Sequence, residues 1–137
     1  MAEASEGYQA EARLYKALSH PVRLQILDLL SQREACVCHL IAALGQRQPY
    51  VSQQLAALRE AGLVTDRRDG NLVYYRLREP GLIGLLAAAR RMVTAERPEL
   101  RRTYLTERSV TVPECSCPKC AGDDENARTE RREPTAA

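Results

Sequence analysis

Apolar residues recur at spacings of three and four through most of the first 95 positions, and polar or glycine-containing stretches mark where each run stops. Tyr8, Ala12, Tyr15 and Leu18 fall on one helical face, so a first helix is predicted over residues 8–18. Ser19-His20-Pro21 interrupts it. Pro21 suits the first turn of a new helix, with Ser19 or His20 as its cap. Val22, Ile26, Leu29 and Leu30 then follow the order of a buried stripe, with Leu27 beside it, and predict a second helix ending near Ser31. A short third helix is expected over residues 37–44, with Gly45 placed for a left-handed cap. After the turn Gly45-Gln46-Arg47-Gln48, Pro49 starts a fourth helix that runs to Ala61 and is stopped by Gly62. Val51, Leu55 and Leu58 form its apolar face, while Ser52, Gln53, Gln54 and Arg59 fall elsewhere on the wheel.

The period then changes. Residues 63–68 read as a strand, Asp69-Gly70-Asn71 is a hairpin signal, and residues 72–77 read as the return strand, with Val73, Tyr75 and Leu77 on one face. Pro80-Gly81 breaks the pattern before a fifth helix over residues 82–95, apolar at Leu82, Leu85, Leu86, Ala89, Met92 and Val93. A short helical piece is expected over residues 99–106. The organisation expected is a disordered stretch over residues 1–7, one domain over 8–95, a tail with clustered cysteines over 96–120, and disorder over 121–137, where the sequence is polar and without period.

Composition narrows the class. The chain has 137 residues, six Tyr, no Phe and no Trp, so its core rests on Leu, Ile, Val and Ala, which suits small helices. No run approaches the ~18 uncharged apolar residues of a membrane span, and the acidic start lacks the apolar stretch of a signal peptide, so a cytoplasmic protein is expected. The formal charge is +2, but residues 8–93 carry 12 basic and 7 acidic side chains, which is compatible with a polyanionic partner. With only two His and no recognisable nucleophile–base pair or phosphate loop, an enzyme is not expected.

Two short helices joined by a glycine-containing turn, then a hairpin with two arginines near its tip, describe a winged helix-turn-helix: mostly α with a β-hairpin wing. The fourth helix would present Gln48, Tyr50, Ser52, Gln53 and Gln54 to the major groove of double-stranded DNA, where Gln bonds adenine in bidentate fashion and Ser bonds bases or phosphate. Arg67 and Arg68 on the wing would meet phosphates or enter the minor groove.

These residues carry a family resemblance. Ala17-Leu18-Ser19-His20-Pro21-Val22-Arg23-Leu24-Gln25-Ile26-Leu27, the stretch Val51-Ser52-Gln53-Gln54-Leu55 through Gly62-Leu63-Val64, and Gly70 through Tyr74-Tyr75-Arg76-Leu77 resemble the opening signature, recognition helix and wing of the ArsR/SmtB winged-helix repressors. Many members have His where Gln54 stands, a departure expected to alter a DNA contact rather than the fold. The resemblance implies a homodimer joined through the first and last helices, bound to an inverted-repeat operator until an inducer, often a metal or metalloid ion, releases it.

Five cysteines stand as Cys36-Val37-Cys38 and as Cys115-Ser116-Cys117-Pro118-Lys119-Cys120. Residues i and i+2 of a helix point about 200° apart, so Cys36 and Cys38 can hold one ion only if Cys36 lies in the segment leading into the third helix, where the pattern puts it. This pair resembles the cysteine box of the arsenic- and cadmium-responsive branch, but Ile41 stands where arsenic sensors of that type carry a third Cys, so a purely local three-thiolate site is not expected. Cys115, Cys117 and Cys120 would complete the site. The C-x-x-C spacing chelates a tetrahedral ion, and thiolates select soft ions such as Cd(II), Pb(II), Zn(II), As(III) or Cu(I). His39 is left out of the ligand set, and His20 is read as a cap or packing residue. The fifth helix contains no His or carboxylate from Leu82 to Val93, so the family's metal site on that helix is not expected. The leading expectation is therefore a repressor released by Cd, Pb, Zn or As(III). Two alternatives are a thiol redox or persulfide sensor of the same fold, and a winged-helix protein-interaction module.

Overall fold

The computed structural model describes residues 2–105, with side chains from residue 5 onward. Five helices, α1 (Ala2–Leu18), α2 (Pro21–Gln32), α3 (Val37–Leu44), α4 (Gln48–Glu60) and α5 (Gly81–Glu96), surround a three-stranded antiparallel sheet and are followed by a 3-10 helix, Pro98–Thr103. Helix α1 is longer than the sequence pattern suggests and begins at Ala2, where disorder over residues 1–7 was expected. The physical reason is local. Ala and Glu, which fill much of this stretch of sequence, are good helix formers.

Pro21 sits in the first turn of α2, and its fixed backbone angle and missing N–H are tolerated there. His20 is the N-cap residue by backbone, yet its side chain makes no capping bond. Gly45 closes α3 with φ 63° and donates its N–H to Ile41 O at 2.9 Å. That left-handed geometry is strained for residues with a Cβ, which explains glycine at the tight turn into α4.

The sheet runs β1 (Ala35–Cys36), β3 (Leu72–Leu77), β2 (Val64–Asp69). Strands β2 and β3 form the expected hairpin, with Asp69 opposite Leu72 and Gly70 at φ 62° in the two-residue loop. Strand β1 was not expected, because two residues are too few to show an alternating pattern. It pairs Ala35 with Tyr75 and Cys36 with Tyr74.

Ile26, Leu27, Leu40, Val51, Leu55 and Leu58 are fully buried, so α2, α3 and α4 share one core, joined by Leu18, Leu63, Val64, Leu82 and Leu86. Each such side chain contributes roughly 1.5–3 kcal/mol through burial. Tyr75 and Leu77 pack against this core, and Tyr74 points to the other face of the sheet, buried against Cys36. Arg90 of α5 pairs with the buried Asp28 of α2 at 2.7 Å and lies over the Tyr104 ring at 4.9 Å, which fastens the segment after α5 to the body. Among the described residues no helix is long and apolar enough to cross a membrane.

Candidate nucleic-acid interface and thiol pair

Helix α4 follows α3 after a three-residue turn and rests on the core through Val51, Gln54, Leu55 and Leu58. Gln48, Ser52 and Gln53 are exposed on the remaining surface. Tyr50 is half-buried, with its hydroxyl 3.3 Å from His20 Nε2. Gln48, Ser52 and Gln53 thus lie on the solvent side of α4, and Tyr50 lies at its edge. Gln54 is placed differently. It is 6% exposed, and its Oε1 accepts from Arg23 Nε at 2.9 Å. A signal for this lay in the spacing: Gln54 is three residues after Val51 and four before Leu58, on the buried stripe, and only its polarity argued otherwise.

The wing separates its two arginines by strand alternation. Arg67 lies opposite Tyr74 and on the same face, with its guanidinium 4.7 Å from the centre of that ring. It is ion-paired with Glu34, the residue before β1, and approaches Asp69 at 4.0 Å. Arg68 lies opposite Val73, is exposed, and points away from that network. The structure thus ties Arg67 to the segment that leads into β1 and leaves Arg68 exposed.

Cys36 occupies the junction between sheet and helix. It is the last residue of β1 and the N-cap of α3, with extended backbone angles, φ −79° and ψ 161°. Its Sγ accepts from the N–H of His39 at 3.4 Å. The extended lead-in lets two cysteines separated by one residue converge. Cys36 and Cys38 are joined as a disulfide, with Cα atoms 5.4 Å apart, within the usual range for such a bridge. Cys36 is 2% exposed, while Cys38 is on the surface. Burial, and then the charge of Arg33, hold the His39 imidazole below its ordinary pKa. Among the described residues no cluster of three or more His, Cys, Asp and Glu side chains forms a metal site. Cys115, Cys117 and Cys120 lie outside the described residues.

Comparison with known proteins agrees with this geometry. Residues 20–66 match the family described as bacterial regulatory protein, arsR family. The chain is 41% identical over 87 residues to an uncharacterized HTH-type transcriptional regulator of Mycobacterium tuberculosis, covering 63% of this chain and 76% of that one. It is 52% identical over 66 residues to the arsenical resistance operon repressor of Escherichia coli, covering 47% of this chain and 56% of the repressor. Among solved structures, the homodimeric winged helix-turn-helix DNA-binding domain of a possible ArsR-family regulator from Mycobacterium bovis superposes with a TM-score of 0.62 at 35% identity, over 74% of this chain and 92% of that one.

Proposed function

The chain belongs to the arsR family of bacterial regulatory proteins, and we propose that it is a cytoplasmic homodimeric repressor released from an inverted-repeat operator by chemistry at Cys36 and Cys38. The fold and the relatives are those of DNA-binding transcriptional regulators, not of enzymes. Groove contacts come from Gln48, Tyr50, Ser52 and Gln53, and phosphate contacts from Arg68, with Arg67 setting the pose of the wing. Exposed Tyr8 and Tyr15 on α1 and Met92 and Val93 on α5 supply apolar surface for a second copy.

One observation carries the assignment of the sensor: Cys36 caps α3 and at the same time pairs with Tyr74 of the wing. A change at this sulfur therefore acts on both DNA-facing elements. The donor set is two soft thiolates, which fits Cd(II), Pb(II), Zn(II) or As(III). Similarity to an arsenical resistance repressor supports a metalloid. Cys115, Cys117 and Cys120 supply the remaining thiolates in this reading. An ion here would be held by the Cys36 and Cys38 sulfurs at the lead-in of α3, and α3 is joined to α4 through the turn at Gly45. A ligand shifts such an equilibrium only by its differential affinity for the two states, and about 1–3 kcal/mol of coupling gives 5–150-fold release.

A second reading is favoured by the union of Cys36 and Cys38 in the structure. Two thiols give up two protons and two electrons to an oxidant and form the bridge. The two inputs exclude each other at one pair, because bridged sulfurs are no longer thiolates. Titrating the reduced protein with Cd(II) or arsenite, and separately with a disulfide oxidant, while following DNA release, tests both. Release by the ion with a sulfur-to-metal charge-transfer band supports the first reading. Release by the oxidant alone supports the second. Failure of both removes the sensor assignment.

A further inference from the structure

Helix α1 ends at Leu18, and α2 starts only three residues later with Pro21. In a continuing helix the carbonyl of Ala17 would accept from the N–H of residue 21. Proline has none, so that carbonyl is left to another donor. Arg23 supplies it: Nη1 donates to Ala17 O at 3.3 Å. The same guanidinium donates through Nε to Gln54 Oε1 at 2.9 Å. A guanidinium is planar and its donors are fixed relative to one another, so the end of α1 and the buried face of α4 are held by one rigid group.

A second contact lies one helical turn away. Tyr50 and Gln54 are four residues apart on α4, and His20 and Arg23 are three apart at the start of α2, so both pairs stack on matching faces. The Tyr50 hydroxyl is 3.3 Å from His20 Nε2, and the two rings are tilted with centroids 6.3 Å apart. Two bonds a turn apart fix the rotation of a helix about its own axis as well as its position. Apolar packing through Val51, Leu55 and Leu58 alone tolerates small rotations.

We propose that Arg23 and Gln54, seconded by His20 and Tyr50, are positioning residues that lock the recognition helix to α1, and that this lock sets the half-site spacing the dimer accepts. The inference rests on the reading of the chain as a dimeric operator-binding regulator. Recognition helices of such a dimer lie about one DNA turn apart. Adding one base pair rotates one half-site by about 35° and moves it about 3.4 Å. A helix held by the lock cannot follow; a helix without it turns to meet the displaced half-site. Gln54 thus contributes to which operators are bound without reading a base.

The test uses the full-length reduced protein and duplexes carrying one inverted repeat with the spacer at its optimum, one pair shorter and one pair longer. Binding is followed by fluorescence anisotropy. Wild type is expected to lose roughly tenfold or more on either altered spacer, at about 1.4 kcal/mol per tenfold. Arg23→Ala and Gln54→Ala are each expected to bind the optimal duplex more weakly and to discriminate spacers less than threefold. The double variant should be no worse than Arg23→Ala alone, as for partners in one bond. Gln54→Glu, whose carboxylate still accepts from Arg23, is expected to restore discrimination, a rescue that a general loss of stability would not give. A Gln54→Ala protein that keeps its spacer discrimination but changes its base preference within a half-site would overturn the proposal and make Gln54 a reader. Additive single variants would overturn it as well. If wild type fails to bind any inverted repeat, the regulator reading itself falls, a result distinct from either of these.

Discussion

Cys36 stands directly opposite Tyr74 across the antiparallel pair of β1 and β3, and the two side chains are buried together at 2% and 3% exposure. The guanidinium of Arg67 lies over the same ring and is itself paired with Glu34. A sulfur atom at the start of α3 is therefore packed within one layer of the wing. This is a short route from thiol chemistry to both elements proposed to face DNA.

The first expectation follows from that position. Cys38→Ser keeps the buried cap residue and removes the partner sulfur. It should leave reduced DNA binding within about twofold and abolish release, since exposed substitutions away from such features change stability by at most ~0.5 kcal/mol. Cys36→Ala should also abolish release, at a stability cost of about 1 kcal/mol for the lost cap and packing. Anisotropy with and without inducer, beside urea denaturation, separates the two effects.

The residues proposed to meet DNA divide by kind of contact. Gln53→Ala should lose roughly 1–3 kcal/mol on the operator and little on random DNA, because a base-edge contact is sequence-dependent. Arg68→Ala should weaken both alike and flatten the salt dependence by about one phosphate contact. Arg67→Ala should act through the wing by removing the pair with Glu34, so its salt slope should change less than that of Arg68→Ala. Equal salt slopes for the two arginine variants would show that Arg67 also meets phosphate.

The ion pair of Asp28 and Arg90 makes a stability prediction. Asp28 has 3% of its side chain exposed, so Arg90→Ala leaves a nearly buried carboxylate without this partner and is expected to cost about 3–5 kcal/mol. Replacing both, as Asp28→Leu with Arg90→Met, should recover most of that loss, since a well-packed apolar pair is often as stable as a buried ionic one. Urea midpoints of the single and double variants check this.

Most of the helical frame was legible in the sequence because its signals are physical and local. Val51, Leu55 and Leu58 sit at the helical period, Gly45 occupies a left-handed cap, and Gly70 takes the positive φ of the hairpin loop. What escaped depends on contacts between distant residues. Ala35 and Cys36 are a strand only because Tyr74 and Tyr75 lie beside them. Gln54 falls on the buried stripe by spacing, but its polarity reads as groove-facing until Arg23, 31 positions earlier, is seen to bond it. Arg67 and Arg68 look equivalent in sequence, and strand alternation together with Glu34 separates them. The placement of Cys36 ahead of α3 was legible from spacing alone, whereas its union with the wing was not.

The claim that Cys36 and Cys38 govern release is tested most directly by one titration. Anaerobic, fully reduced wild-type protein and the Cys36→Ser/Cys38→Ser double variant are bound to the same inverted-repeat duplex, and Cd(II) or arsenite is added while anisotropy is read. The account predicts that wild type loses affinity by roughly 5–150-fold as the ion saturates it, while the double variant stays bound throughout. Equal release of both proteins by the ion would contradict it.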